Sequence, residues 1–232
     1  MIKKHFIFTL IYAFTFLVVL ASMYFNMVMV SNIAKPCISV ELIVFLCLST
    51  KLSGRFHQRL FTGLIFALTG ITLLMLTPYH RSYELYGQAA FIICHIFYIS
   101  AFYLDFRSAQ ELDKRGAKIA ITTCAVVFTA FYLCLRPYLP VVKLPVLLCV
   151  FIAALLMMMA AFRNQRVNPL SFRLIMAGTA CFICTDALYA YIHFVNGFYL
   201  SSLLLSAAYM IAQYLIVTGG AERVLIHHQT PE

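Results

Sequence analysis

Long apolar runs recur along this sequence, and they constrain its fold more than any other feature. A helix that crosses the hydrocarbon core of a bilayer needs about 20 mostly apolar residues, because every backbone polar group must be bonded within the segment. Eight candidate runs occur in this chain. Their approximate bounds are 6–30, 36–50, 60–77, 86–104, 117–135, 141–162, 172–195 and 198–218.

The composition supports the same fold class. Hydrophobic residues make up 63% of the chain and charged residues 11%, whereas soluble domains are about half apolar and about a quarter charged. No polar stretch is long enough for a separate soluble domain. We therefore predict an all-α, polytopic membrane bundle of about eight transmembrane helices that takes in residues 1–232. The first run follows two lysines but is longer than the core of a signal peptide, so we expect it to be a retained span.

The positions of the basic residues predict the orientation. The formal charge of +9 comes from residues scattered in short loops, which indicates a membrane bordered by anionic lipid and no nucleic-acid partner. With the N-terminus inside, 13 of the 17 basic residues fall on the inside. These are Lys3, Lys4, Lys51, Arg55, Arg59, Arg107, Lys114, Arg115, Lys118, Arg163, Arg166, Arg173 and Arg223, and the outside holds Lys35, Arg81, Arg136 and Lys143. The positive-inside rule then favours eight spans with both termini cytoplasmic.

Proline and cysteine add smaller constraints. Five prolines are expected in loops or at helix ends, where proline is tolerated, and Pro145 indicates that the sixth helix begins a few residues after position 141. The five are Pro36, Pro78, Pro137, Pro140 and Pro169. Most cysteines lie within apolar runs and are read as small hydrophobic residues. Cys181 and Cys184 form a lone CxxC, which lacks the ligand set of a metal site, so no metal is predicted.

The polar residues at membrane depth are the candidates for function, and Asp186 comes first. It lies in "TACFICTDALYAYIHF", with no lysine or arginine within a dozen positions. An ionisable group at this depth is expensive, so it should face the bundle interior or a wet cavity. Tyr189, Ala190 and His193 share its helix face. Asp186 is either a structural hydrogen-bonding acid or part of a functional site.

Other polar residues in the spans have the same two interpretations. His95 lies in the middle of the fourth run with Tyr98 on its face, and one sequence fixes no distance from His95 to Asp186. Glu41 interrupts the short second run and is read as an acid near the membrane surface. Gln213 follows Tyr209 by one turn on the last helix, where glutamine often joins helices.

Several of these stretches resemble one known family, the YhhN-like lysoplasmalogenases, which are eight-span membrane proteins. The resemblance covers roughly residues 35–220, in order and with matching spacing. Its motifs are Lys35-Pro36 before the second span, Gly87-x-x-x-Phe91-x-x-x-His95-x-x-Tyr98-x-x-x-Phe102, Thr185-Asp186-Ala187-Leu188, and Tyr209-x-x-x-Gln213-x-Leu215-Ile216. One position departs from the family pattern: Ile71 follows Gly70 where the family has an aspartate.

The resemblance implies an ether-lipid hydrolase without a cofactor. The implied reaction cleaves the vinyl-ether bond of lysoplasmalogens to a fatty aldehyde and a glycerophospho-base. Asp186 would be the acid, with His95 as the first substitute for the acid missing at Ile71 and Glu41 as the second. The substrate-binding residues would be Tyr98, Tyr209, Gln213, Glu41 and Lys35, the last of which would meet the lipid phosphate.

Two other functions stay open at this point. The replacement by Ile71 favours a relative that has lost activity and binds a lysolipid-like ligand. A small membrane transporter is a third possibility, although no pair of helices broken by glycine and proline supports it. The sequence also lacks the nucleotide-binding and common hydrolase motifs. The expected partner is a lipid from the bilayer, and the expected location is a bacterial inner membrane.

Overall fold

The computed structural model describes residues 6–108, 114–139 and 142–226. Eight helices within these ranges are long and apolar enough to cross a membrane. The described ranges contain no extended strand, only an isolated bridge between Val167 and Leu225. The predicted all-α, multi-pass membrane fold is therefore confirmed.

Each of the eight predicted runs corresponds to one helix. The helices are α1 (Phe6–Tyr24), α2 (Val28–Thr50), α3 (Gly54–Met75), α4 (Ser82–Ser108), α5 (Lys114–Leu135), α6 (Lys143–Ala161), α7 (Pro169–Phe194) and α8 (Ser201–Ala221). A short 3₁₀ turn (Arg136–Tyr138) follows α5. Among the residues that bear on the predicted orientation, Lys3 and Lys4 lie outside the described ranges.

The second helix differs most from its prediction. It begins at Val28, so Lys35 and Pro36 lie inside α2 and not before it. The expectation that Pro36 sits at a helix end was wrong, because the polar residues before it interrupt apolarity without interrupting the helix. A transmembrane helix tolerates an internal proline where its neighbours satisfy the freed backbone group.

The other prolines lie close to where they were expected. Pro169 is the first residue of α7, and Pro145 is in the first turn of α6, which begins at Lys143 as the prediction required. Pro78 and Pro137 lie in the loop after α3 and in the 3₁₀ turn. Pro140 lies outside the described residues.

Six helices pack in a closed ring, which runs in the order α2, α3, α4, α6, α7, α8 and back to α2. Helix α1 packs outside this ring against α2 and α8, and α5 packs on α6. The closest pairs are α3 with α4 and α7 with α8. At the second pair, a Cβ added to Gly178 would lie 2.9 Å from the carbonyl oxygen of Ala212. Glycine thus lets these two helices approach closely, as small residues often do in membranes.

The interior of the ring is bridged by long side chains. Helices α4 and α7 are not direct neighbours in the ring, since α6 packs between them. The backbones of α4 and α7 are therefore held apart, and side chains that extend from both helices meet in the space between them. We call the end at which α4 begins and α7 ends the upper end of the ring, and the opposite end the lower end.

A cluster of buried, charged side chains joins the helices at the lower end of the ring. The Nε atom of Arg163 donates to Oδ2 of Asp105 at 2.8 Å, and Nε of Arg223 donates to Oδ1 at 2.7 Å. The side chains of Asp105 and Arg163 are fully buried, with 0% exposure each. Arg163 also donates to the hydroxyl of Ser171 at the start of α7. The cluster therefore joins the ends of α4, α6 and α8 to the start of α7.

This cluster corrects one interpretation of the basic loops. Arg163 was expected to face lipid head groups, but it is buried and paired with Asp105, a residue that the sequence analysis passed over. Burial lowers the pKa of the Arg163 guanidinium, and the carboxylate of Asp105 opposes that shift. Because Asp105 comes after the last apolar run on α4, the pattern gave no reason to expect it inside the protein.

Replacing Asp105 by asparagine should destabilise the whole ring. The Asp105→Asn variant leaves the buried Arg163 without a counter-charge, and breaking such a pair costs about 3–5 kcal/mol. Thermal unfolding in detergent measures the effect. The matched control is Asp186→Asn, whose carboxylate is 38% exposed and whose replacement should alter stability far less. Equal stability of the two variants would contradict the role given to Asp105.

Candidate functional site

His95 and Asp186 meet in the interior of the ring. Nε2 of His95, on α4, lies 3.1 Å from Oδ2 of Asp186, on α7. The His95 side chain is 7% exposed and that of Asp186 is 38% exposed. Nε2 makes no hydrogen bond of acceptable angle, so the contact is a close electrostatic one and not an aligned hydrogen bond. The structure thus answers the question of proximity that the sequence left open.

Phe182 organises the aromatic side chains around this pair. It lies one turn before Asp186 on α7, and its ring stacks on that of His95 with centroids 4.6 Å apart. The rings of Tyr98 and Tyr209 lie 6.3 Å and 6.0 Å from the Phe182 centroid. The sequence analysis missed Phe182, although its spacing of four residues from Asp186 places both on one face.

Tyr98 and Gln213 form the buried hydrogen bond that ties α4 to α8. The hydroxyl of Tyr98 donates to Oε1 of Gln213 at 2.7 Å. The Tyr98 ring fits against Gly63 of α3, where an added Cβ would lie 2.5 Å from the ring. The predicted residues Tyr98, Tyr209 and Gln213 are thus brought together with His95.

Three buried polar atoms in this region make no hydrogen bond of acceptable geometry, although Ser39 and Gln213 lie close to the hydroxyl of Tyr209. They are Nε2 of His95, the hydroxyl of Tyr209 and Nε2 of Gln213. Unpaired buried polar atoms are rare in proteins and call for a physical reason. These atoms leave unused hydrogen-bonding capacity next to the aromatic rings of Tyr98, Phe182 and Tyr209, and a hydroxyl or a water molecule is the kind of group that satisfies it.

A second polar cluster lies at the upper end. The hydroxyl of Tyr189 donates to Oε1 of Glu84 at 2.8 Å, and Nδ1 of His193 lies 3.2 Å from the same oxygen. The rings of Tyr189 and His193 stack at 5.7 Å. The expectation that Tyr189 and His193 share the face of Asp186 is consistent with this arrangement. Glu84 was missed because it precedes the apolar run of α4.

Glu41 and Lys35 both lie on α2, which packs against α1, α3 and α8. Glu41 accepts a hydrogen bond from Thr15 of α1 at 2.7 Å, and its other oxygen, Oε2, is buried without a hydrogen bond. Lys35 is half-buried near the upper end of α2. Their predicted parts in substrate binding stay predictions.

A comparison with models of protein families shows the family to which the chain belongs. The model of the YhhN family matches residues 30–220. The chain belongs to the YhhN family. No curated protein and no solved structure matches it. The resemblance proposed from the four motifs is therefore confirmed.

Ile71, which stands where the resemblance led us to expect an aspartate, lies in a packed region. Ile71 is partly buried against the hydrophobic core. The preceding residue, Gly70, faces α4, where an added Cβ would lie 2.9 Å from the ring of Phe91. Phe91 in turn packs edge-on against Tyr209, with centroids 5.7 Å apart. Position 71 is therefore next to Gly70, whose contact with Phe91 joins α3 to α4 behind Tyr209.

The cysteines of this YhhN protein are all free thiols, including Cys181 and Cys184 of the CxxC. Cys94 is buried beside the site, where its thiol interacts with Tyr98 and Gln213. Among the described residues, no group of three or more His, Cys, Asp or Glu side chains is arranged to hold a metal ion.

Removing the Tyr98 hydroxyl should destabilise the protein. In Tyr98→Phe the buried amide of Gln213 loses its partner, and an unsatisfied buried group costs about 1–3 kcal/mol. The control is Tyr103→Phe on the same helix, because Tyr103 is 44% exposed and should tolerate the change. Unfolding in detergent measures both variants, and a Tyr98→Phe protein as stable as wild type would refute the importance of this bond.

Proposed function

We propose that this protein hydrolyses the vinyl-ether bond of lysoplasmalogens, releasing a fatty aldehyde and a glycerophospho-base. Membership of the YhhN family supports a reaction of this type. The observation that carries the proposal is the contact between Asp186 and His95, whose side-chain atoms approach to 3.1 Å inside a membrane helix ring. It brings a proton donor and a proton acceptor together at membrane depth.

Asp186 acts as the general acid in this proposal. A vinyl ether is hydrolysed by adding a proton to the β-carbon of its double bond, which leaves an oxocarbenium ion at the α-carbon. Protonated Asp186 supplies this proton and becomes a carboxylate. The negative charge that forms next to the cation stabilises it, as preorganised charges do in active sites.

His95 acts as the general base for the second step. A water molecule attacks the α-carbon, and neutral His95 removes one of its protons as the hemiacetal forms. The hemiacetal then collapses, with transfer of its hydroxyl proton to the glycerol oxygen, to give the aldehyde and the free alcohol. The unpaired atoms of Tyr209 and Gln213 support placing the water next to His95.

The short distance between the two side chains closes the proton cycle. After hydrolysis His95 carries an extra proton and Asp186 lacks one. Direct transfer across the contact returns both groups to their starting states with no net change in charge. The aromatic faces of Phe182 and Tyr209 further favour a cationic intermediate, because a cation is attracted to the face of an aromatic ring.

This mechanism does not require an acid at position 71. His95 takes the part that a second aspartate would otherwise have, and Glu41 is the reserve candidate. The substrate would come from the bilayer, and the short connections between helices support a bacterial inner membrane as the location of the protein.

Purified protein in detergent should release aldehyde from a lysoplasmalogen. Asp186→Asn should reduce the rate by about 100-fold or more, since a general acid contributes 10²–10⁴-fold. His95→Gln should also lower the rate, whereas the matched control His80→Gln, in the loop before α4, should not. Coupling to an aldehyde dehydrogenase gives the readout, with a saturated ether lysolipid as a substrate that should not react.

Hydrolysis in D₂O tests the order of steps. Protonation at the β-carbon predicts one deuterium on the aldehyde carbon next to the carbonyl, detected by mass spectrometry. No aldehyde from folded wild-type protein, beside an active lysoplasmalogenase, would overturn the proposed function.

A ligand-binding protein without activity is the second candidate, and Ile71 is the observation that favours it. If a third-span acid is required, the Ile71→Asp variant should gain hydrolysis that the wild type lacks. Ile71→Asn introduces similar bulk and polarity without a carboxyl group and is the matched control. Measurable wild-type activity would count against this alternative, and no gain in a folded Ile71→Asp protein would show that Ile71 is not what removed the activity.

A further inference from the structure

The strongest observation outside the reacting pair is the carboxylate of Glu84 at the upper end of the ring. Both of its contacts with α7, from the Tyr189 hydroxyl and from Nδ1 of His193, reach the same oxygen, Oε1. No lysine or arginine among the described residues pairs with Glu84. The second oxygen is therefore left for another cation, and the side chain is 27% exposed.

We propose that Glu84, Tyr189 and His193 form a site for the cationic head group of the lysolipid, and that Glu84 sets the preference of the protein for ammonium over anionic head groups. This inference rests on the proposed function, because it assigns a binding site to the head group of the proposed substrate.

The chemistry of the cluster matches an ammonium or trimethylammonium group. A carboxylate attracts the positive charge, and the ring of Tyr189 supplies an aromatic face of the kind that attracts cations. His193 contacts only Oε1, at 3.2 Å, so this contact leaves Oε2 of Glu84 open to a ligand cation. An anionic head group in the same place would meet an unneutralised carboxylate.

The separation between the two sites matches the length of the lipid. His193 follows Asp186 by seven residues, which is about 10 Å along a helix at 1.5 Å per residue. In a lysoplasmalogen ten bonds separate the vinyl carbon attacked by water from the head-group nitrogen. At roughly 1.2 Å per bond an extended chain spans about 12 Å. A substrate with its vinyl ether at Asp186 thus brings its nitrogen to Glu84.

The alternative role for this cluster is to brace α4 against α7 without touching a ligand. If the cluster only braced the helices, replacing Glu84 would lower the binding of all lysolipids by the same factor. A head-group site changes the ratio between lysolipids that differ only in the head group. The ratio is therefore the quantity to measure.

The test measures binding of two non-cleavable saturated ether lysolipids, one with a phosphocholine and one with a phosphoglycerol head group, to purified protein in detergent. Wild type should prefer the choline lipid by about tenfold, and Glu84→Gln should abolish most of that preference, as expected for loss of one charged contact. Glu84→Lys should reverse the preference. The control Arg81→Gln changes charge in the nearby loop and should leave the ratio close to that of wild type.

The outcomes separate this inference from the proposed hydrolysis. A choline preference that disappears in Glu84→Gln, without aldehyde release from any vinyl-ether lipid, supports the head-group site and overturns the enzyme. Aldehyde release with a head-group ratio that Glu84→Gln and Glu84→Lys leave unchanged supports the enzyme and overturns the site. Absence of both binding and release overturns both.

Discussion

A polar side chain inside a bilayer has to find its partner within the protein, and this constraint arranges the interior of the helix ring. Water does not satisfy such groups at membrane depth, and each unpaired one is expensive. Asp105 meets two arginines at the lower end, Tyr98 meets Gln213 in the middle, and Glu84 meets Tyr189 at the upper end. These three contacts hold α4 to the far side of the ring.

The same constraint distinguishes the surroundings of the His95–Asp186 pair from the rest of the interior. Around it the polar groups are only partly satisfied, since Tyr209 and Gln213 each keep an unpaired buried atom. The lower cluster is complete and sealed, with Asp105 and Arg163 at 0% exposure, whereas Asp186 is 38% exposed. The lower end is therefore rigid, whereas the groups farther up keep unused hydrogen-bonding capacity, which the proposed reaction uses.

Much of the fold was readable from hydropathy, but Asp105 and Glu84 were missed and Arg163 was placed wrongly for a common reason. Asp105, Glu84 and Arg163 lie at or beyond the ends of apolar runs, where a charged residue is ordinarily solvated. Their burial or pairing depends on which helix ends meet, and that is a property of the ring. Pro36 was misplaced because polar neighbours resemble a loop in sequence even when the backbone stays helical.

The sequence by itself determined that the chain has eight runs long and apolar enough to cross a membrane, that it has the motifs on which the resemblance to the YhhN family was proposed, and that Asp186 and His95 stand out as polar residues in apolar surroundings. Those properties are local, because they depend on the length and spacing of residues along one helix. Only the tertiary structure decided that His95 lies against Asp186, that Tyr98 reaches Gln213, and that Glu84 faces His193. Each of these contacts joins helices that are distant in sequence, and helical periodicity fixes a face but not the partner that the face meets.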